Sequence, residues 1–261
     1  MNIFFHLIHA DMRAFKSDYI PDMIDIVIYI SVVTLVAGYM MPLVGVQRDF
    51  VLLTFTGTVG SAVSFRAFPN ISMMVSDLSG DRSIEQRLIL PIPAWLMLTA
   101  KVCSLFLMGL AICAWVFPVG LLLLWNTFPF ENFSIWRVAL IMILACSFFS
   151  ALTLFMASII NTPQQIGRVW GRALFPLWFF GGLQFTWQKL HDIFPAAAYI
   201  DLLNPYLLAI EGTRAAMVGQ DGNLPYWYCA FGLFFLTLLA LIVGVKRLRN
   251  KLDYVVEHSS F

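Results

Sequence analysis

Long uncharged runs alternate along this chain with short clusters of charge, and the first question is how many of the runs can cross a lipid bilayer. A helix needs roughly 20 apolar residues to span the hydrocarbon core. Counting on that basis gives six spans: 26–45, 50–76, 94–125, 138–160, a shorter one at 173–187, and 224–245. The third is over-long and holds Pro118, which predicts a kink or break there. Ahead of the first span, Phe4, Ile8, Met12, Phe15 and Tyr19 recur at three- and four-residue steps, away from His6, Arg13 and Lys16. That pattern predicts an amphipathic interfacial helix over residues 1–22.

Two stretches break the alternation. The segment 77–93, DLSGDRSIEQRLILPIP, places Asp77, Asp81, Arg82, Glu85 and Arg87 between the second and third spans. Within it Ser83, Glu85 and Gln86 fall in a run with capping-box spacing, and Pro91 and Pro93 limit any helix beyond Leu90. A short rigid helix at the membrane face satisfies this pattern, and so does a solvated loop with a chance match. The second stretch, 191–223, contains two apolar pieces too short to cross, broken at Pro195 and at Asn204-Pro205. Irregular backbone at membrane depth must be covered by protein or water, so a pair of helices dipping back from the outer surface is expected. A plain outer loop with interfacial helices is the alternative. Glu211 and Arg214, three residues apart, can pair there.

Composition agrees with the spans. The chain of 261 residues is 60% hydrophobic and 12% charged, against about 25% charged in a soluble domain. A net charge of +1 gives no support for a nucleic-acid partner. Charge placement sets the expected orientation. With both termini cytoplasmic, the inner segments hold Arg13, Lys16, Arg82, Arg87, Arg168, Arg172, Lys246, Arg247, Arg249 and Lys251, and the outer ones only Arg48, Arg137, Lys189 and Arg214. Arg66 and Lys101 fall inside spans, near their cytoplasmic ends, where snorkelling would account for them.

Candidate chemistry is sparse. His6 and His9 lack a third ligand for a metal, and the four cysteines show neither CxxC nor Cys/His spacing. HExxH and GxSxG are absent, and a Ser/His hydrolase would have to use His191 near the outer face. Without a Gly-Lys dipeptide there is no Walker A loop, so any ATP would be bound by another chain. No cofactor is expected, and a membrane anchor that recruits a partner without moving cargo is a further reading of the same charged segment.

The layout as a whole resembles the membrane-spanning permease subunits of ABC-2 type transporters, exporters of polysaccharide, lipo-oligosaccharide, drugs and lipids. The resemblance rests on the N-terminal amphipathic segment, six spans, the charged segment ending in LPIP, Lys101, and the LNPYLLAIEGTRAAMVG run at 203–219. It implies an all-α integral membrane fold forming one domain over residues 1–261, with a gate helix at 1–22, a cytoplasmic coupling helix within 77–93 and re-entrant outer helices in 191–223. Asp81, Arg82, Ser83, Glu85, Gln86 and Arg87 would then dock on an ABC ATPase subunit, with residues 161–172 a second contact or a basic anchor on anionic lipid. Asn204, Pro205, Glu211 and Arg214 would belong to the outer re-entrant region. Among the aromatic residues crowding the fifth span, Trp178, Phe179, Phe180 and Phe185 are candidates to line the path, although aromatic side chains also belong at membrane interfaces. The same resemblance implies a second permease copy or paralogue, lipid contacts, and a bacterial inner membrane location.

Overall fold

The computed structural model describes residues 2–45, 48–79, 93–125 and 128–258, and the described residues contain helices and no strand. Lipid cannot satisfy backbone N–H and C=O groups, so a chain this apolar closes its hydrogen bonds within helices. Helix α1 (Asn2–Leu35) passes through a π-helical turn at Val36–Met40 into Met41–Leu43. Helix α2 is Arg48–Ser79, α3 is Ala94–Cys113 and α4 is Val116–Leu124. Helix α5 (Ile135–Ile159) precedes α6 (Pro163–Val169), which continues through a second π-helical turn, Trp170–Leu174, into α7 (Phe175–Phe180). Three short helices follow, α8 (Trp187–Ile193), α9 (Pro195–Asp201) and α10 (Pro205–Met217), before the long α11 (Tyr226–His258).

Five helical stretches among the described residues are long and apolar enough to cross a membrane: Ile3–Leu43, Phe50–Asp77, Trp95–Leu124, Ile135–Ile159 and Tyr226–Lys251. Four match expected spans closely, and the break between α3 and α4 falls just ahead of Pro118, whose missing N–H cannot bond back into α3.

Two regions differ from the sequence reading. The amphipathic N-terminal segment is not a separate helix, because α1 runs through Pro21 without interruption into the first span. One proline removes one hydrogen bond, and packing of α1 along α3 and α4 holds the rest in line. The expected fifth span is also not one straight helix. Its helical run begins earlier, at Pro163, and therefore takes in most of the loop expected at 161–172, then stops at Gly181. Gly182 takes φ +82, a left-handed conformation that ends a helix and favours glycine.

The core lies where α2, α5, α10 and α11 meet. Every residue of α10 from Tyr206 to Met217 is buried. Its first turn meets the middle of α5, where Tyr206 and Phe149 rings lie 5.0 Å apart, while at its far end Ala216 accepts a 3.0 Å hydrogen bond from the Ser134 N–H at the start of α5. A helix of 13 residues is about 20 Å long, so α10 accompanies only half of the bundle. Close approach makes this possible: a Cβ on Gly60 of α2 would come within 2.7 Å of the Ile210 Cα.

Candidate functional site

The half-length helix α10 starts where the sequence placed a break. Asn204 is its N-cap and Pro205 its first residue, the position where a missing N–H costs nothing. Asn204 Oδ1 accepts from the Tyr206 N–H at 3.0 Å, while Nδ2 donates to the Leu177 carbonyl at 2.7 Å and to Asp201 Oδ1 at 2.8 Å. One side chain thus caps α10, ties it to α7 and orients the Asp201 carboxylate at the end of α9.

One turn before its other end, α10 carries the expected ion pair. Arg214 Nη1 donates to Glu211 Oε1 at 2.5 Å, with the two side chains 4% and 0% exposed. A guanidinium offers five N–H donors, and each has an acceptor here. Nη1 also reaches the Phe185 carbonyl at 3.4 Å, Nη2 donates to Gly182 O at 2.8 Å and Leu53 O at 3.3 Å, and Nε donates to Thr56 Oγ1 at 3.3 Å. The Glu211 carboxylate additionally accepts from the Trp187 N–H at 3.1 Å and the Leu224 N–H at 3.0 Å. This pair therefore fastens α10 to α2, to the 181–187 connection and to the lead into α11. The i, i+3 spacing revealed the pair itself; its five backbone partners come from distant segments.

The four candidate path-lining aromatics do not share one surface. Trp178 turns inward, its ring 5.9 Å from Phe65 of α2, whereas Phe179 and Phe180 point out of the bundle and are half exposed. Phe185 lies in the connection, where its carbonyl serves Arg214. The groove beside α7 encloses about 430 Å³ and is bordered by Phe180, Leu177, Ile200, Arg172, Asp201 and Asn204 among others. Asp201 is 8% exposed, and its Oδ2 is buried without a hydrogen-bond partner. Burial is the main cause that pushes its carboxyl up to about 6; the bond from Asn204 opposes the shift and the negative charge of Glu211 adds to it.

The cations inside the spans are paired rather than snorkelling. Arg66 on α2 forms an ion pair with Asp22 on α1, and its guanidinium also lies 5.7 Å from the centre of the Phe15 ring. Lys101 on α3 lies 3.5 Å from Asp11 on α1. Both acids lie on the N-terminal part of α1 and face the bundle. A charge inside a span demands a counter-ion, and that rule is the signal that could have found them. A smaller cavity of about 290 Å³, bordered by Asp22, Asp25, Tyr29 and Arg66, adjoins the first pair.

Other sequence candidates are placed less tellingly. His9 accepts from Arg13 at 3.1 Å, one turn away. His191 packs beside the rings of Trp187 and Tyr199, at 5.1 and 5.4 Å. The six candidate coupling residues, Asp81, Arg82, Ser83, Glu85, Gln86 and Arg87, lie outside the described residues.

Comparison with known proteins identifies this architecture. The family model for the ABC-2 type transporter matches residues 4–218. The inner membrane transport permease YadH of Escherichia coli K12 is 24% identical over 214 residues, which covers 81% of this chain and 80% of that protein. YadH of Shigella flexneri matches to the same extent. A family match across most of an all-helical, multi-pass chain places the protein in the ABC-2 type transporter family.

Proposed function

We propose that this chain is the permease subunit of an ATP-driven exporter that moves an amphiphilic or glycan-type cargo outward from the cytoplasmic side, with ATP hydrolysed by a separate subunit. The observation that carries the reading is the half-length α10, buried along its length and locked by Glu211 and Arg214. A helix that enters only half of a membrane bundle forms a plug above a path open from the other side. In this reading α9 and α10 are the re-entrant outer helices. The run from Pro163 to Phe180, about 27 Å long, is then the fifth crossing, completed by the 181–187 connection.

Six crossings leave both termini on one side, and the Lys and Arg outside the spans favour the cytoplasm for it, eight against four once Arg168 and Arg172 are taken into the fifth crossing. The segment 77–93 then faces the cytoplasm, and Asp81, Arg82, Ser83, Glu85, Gln86 and Arg87 are its contacts with the ATPase subunit. Closure of two such subunits on ATP would pull on α2 and α3 together, because the segment joins them, and would rock the bundle. A second permease copy or a paralogue completes the usual transporter, and the inner membrane named for YadH is the proposed location.

The test is to isolate the detergent-solubilised protein from its native membrane, identify the co-purifying ATPase, and reconstitute both. The expected result is a nucleotide-hydrolysing partner whose turnover responds to the permease. Arg87→Glu should abolish ATP-driven transport and the stimulation of hydrolysis while leaving the permease folded and inserted. Unchanged transport in that variant would remove the docking assignment, and a preparation free of any ATPase would count against the exporter reading.

A further inference from the structure

Both π-helical turns among the described residues come from the same local chemistry. Val36–Met40 contains Gly38 and is followed two residues on by Pro42; Trp170–Leu174 contains Gly171 and is followed two residues on by Pro176. Proline has no N–H and its ring crowds the carbonyl one turn back, so an α-helical run past it is strained. In these two places the turn ahead widens, and the next N–H reaches back five residues, from Met41 to Val36 O and from Phe175 to Trp170 O.

Their surroundings differ. At the first turn a Cβ on Gly38 would meet the Leu124 side chain at 3.2 Å, and the Tyr39 hydroxyl donates to Leu123 O at 3.0 Å, so α4 holds that bend fixed. At the second, a Cβ on Gly171, or on Gly167 one turn earlier, would meet nothing within 4 Å. Packing therefore requires neither glycine, and each makes the helix easier to open than alanine would. Space also lies on both sides of this turn. Arg172 and Ala173 border the groove of about 430 Å³ beside α9, and also a cavity of about 340 Å³ at the end of α5, where Ile159, Ile160 and Gln165 line it.

The two arms of the run are fastened to different parts of the bundle. Beyond the turn, Asn204 ties α7 to the start of α10 through Leu177 O, and Trp178 meets Phe65 of α2 one turn before Pro69. Ahead of the turn, α6 buries Ile166, and the Trp170 ring lies 4.8 Å from that of Phe68, next to Pro69. Pro69 removes one backbone bond from α2, so both helices are softened at the same level. We propose that the Trp170–Leu174 turn is a hinge in the Pro163–Phe180 run, about which α6 swings between the two cavities while α7 stays with α10. Sharp helix kinks, beyond about 20°, arise at prolines and π-helical turns; on the arm from Pro163 to Trp170, about 12 Å long, such a bend moves the far end by about 4 Å. The hinge belongs to the chain alone; that an ATPase drives it rests on the export reading.

The experiment places nitroxide labels on the purified full-length chain in nanodiscs and measures distances by pulsed electron paramagnetic resonance. A Cys103→Ser background is used, because Cys113, Cys146 and Cys229 are buried. Gln164→Cys with Ile200→Cys spans the hinge, and Phe179→Cys with Ile200→Cys does not; all three positions are exposed. The first pair should give a distance distribution broader than the second by about 4 Å. Pro176→Ala restores the missing N–H and should narrow the first distribution to the width of the second. Gly167→Ala with Gly171→Ala, which introduces no clash, guards against misfolding of the proline variant and should narrow it as well.

Equal widths for the two pairs, or a first distribution that neither variant narrows, would overturn the hinge. With the ATPase and a non-hydrolysable nucleotide added, the mean distance of the first pair should shift. A chain that bends at this turn but ignores nucleotide would leave the hinge standing and count only against the export reading.

Discussion

Replacing Glu211 by glutamine tests the central knot of the molecule. The side chain keeps its shape and one acceptor, but Arg214, with a side chain 4% exposed, loses its anionic partner among the described residues. Removing one member of a buried ion pair leaves an uncompensated charge and typically costs about 3–5 kcal/mol. Three hydrogen bonds end on the Glu211 carboxylate: from Arg214, from the Trp187 N–H and from the Leu224 N–H. Bonds to a charged group contribute about 1.5–3 kcal/mol each, so weakening them by neutralisation gives a figure of the same size.

The double variant Glu211→Gln with Arg214→Met removes both charges, and should be less damaging than the two single losses added together. A coupling of about 2 kcal/mol is expected for residues in direct contact. Recovery will be incomplete, since the Leu53, Gly182 and Phe185 carbonyls lose their donor. The assay is thermal unfolding in lipid nanodiscs, read as a rate at fixed temperature because membrane proteins commonly unfold irreversibly. If Glu211→Gln changes stability by less than about 0.5 kcal/mol, or the losses simply add, the pair does not fasten α10 as described.

Three further outcomes follow from other contacts. Asn204→Ala removes the cap of α10 and the tie to Leu177, and should destabilise by about 1–2 kcal/mol, with faster hydrogen exchange in 206–208 than in α11; uniform exchange would count against a local role. Reversing Arg66 to Asp places it against Asp22 and should lower folded yield, while the added change Asp22→Arg should restore it in part; no rescue would mean that the two do not pair. Asp201 has a folded pKa raised from 3.8 to about 6, so the folded state holds its proton more tightly and stability from this group falls as pH rises between those values. Unfolding rates measured across that window should lose part of their pH slope in Asp201→Asn, and an identical slope would show that the carboxyl is not buried.

Much of the fold is legible from the chain because a membrane leaves few choices. Runs near 20 uncharged residues have to be helices, and prolines mark where helices begin, as Pro195 and Pro205 do. Pro21 and Pro69 are exceptions: α1 and α2 run on across them. The charged positions were harder to place. Lys101 and Arg66 look like isolated cations in spans, and only the folding of α1 against α2 and α3 brings Asp22 and Asp11 to them.

The sequence by itself determined that this is a helical membrane chain, where most spans begin and end, and that Glu211 and Arg214 can meet, because hydrophobic period and helical spacing are local properties. Only the tertiary structure decided that α10 is buried on every side, that one arginine gathers five acceptors from α2, α10 and the 181–187 connection, and that Arg172 and Asp201 border one groove. Those are long-range juxtapositions, set by how helices pack, and no window along the chain contains both partners.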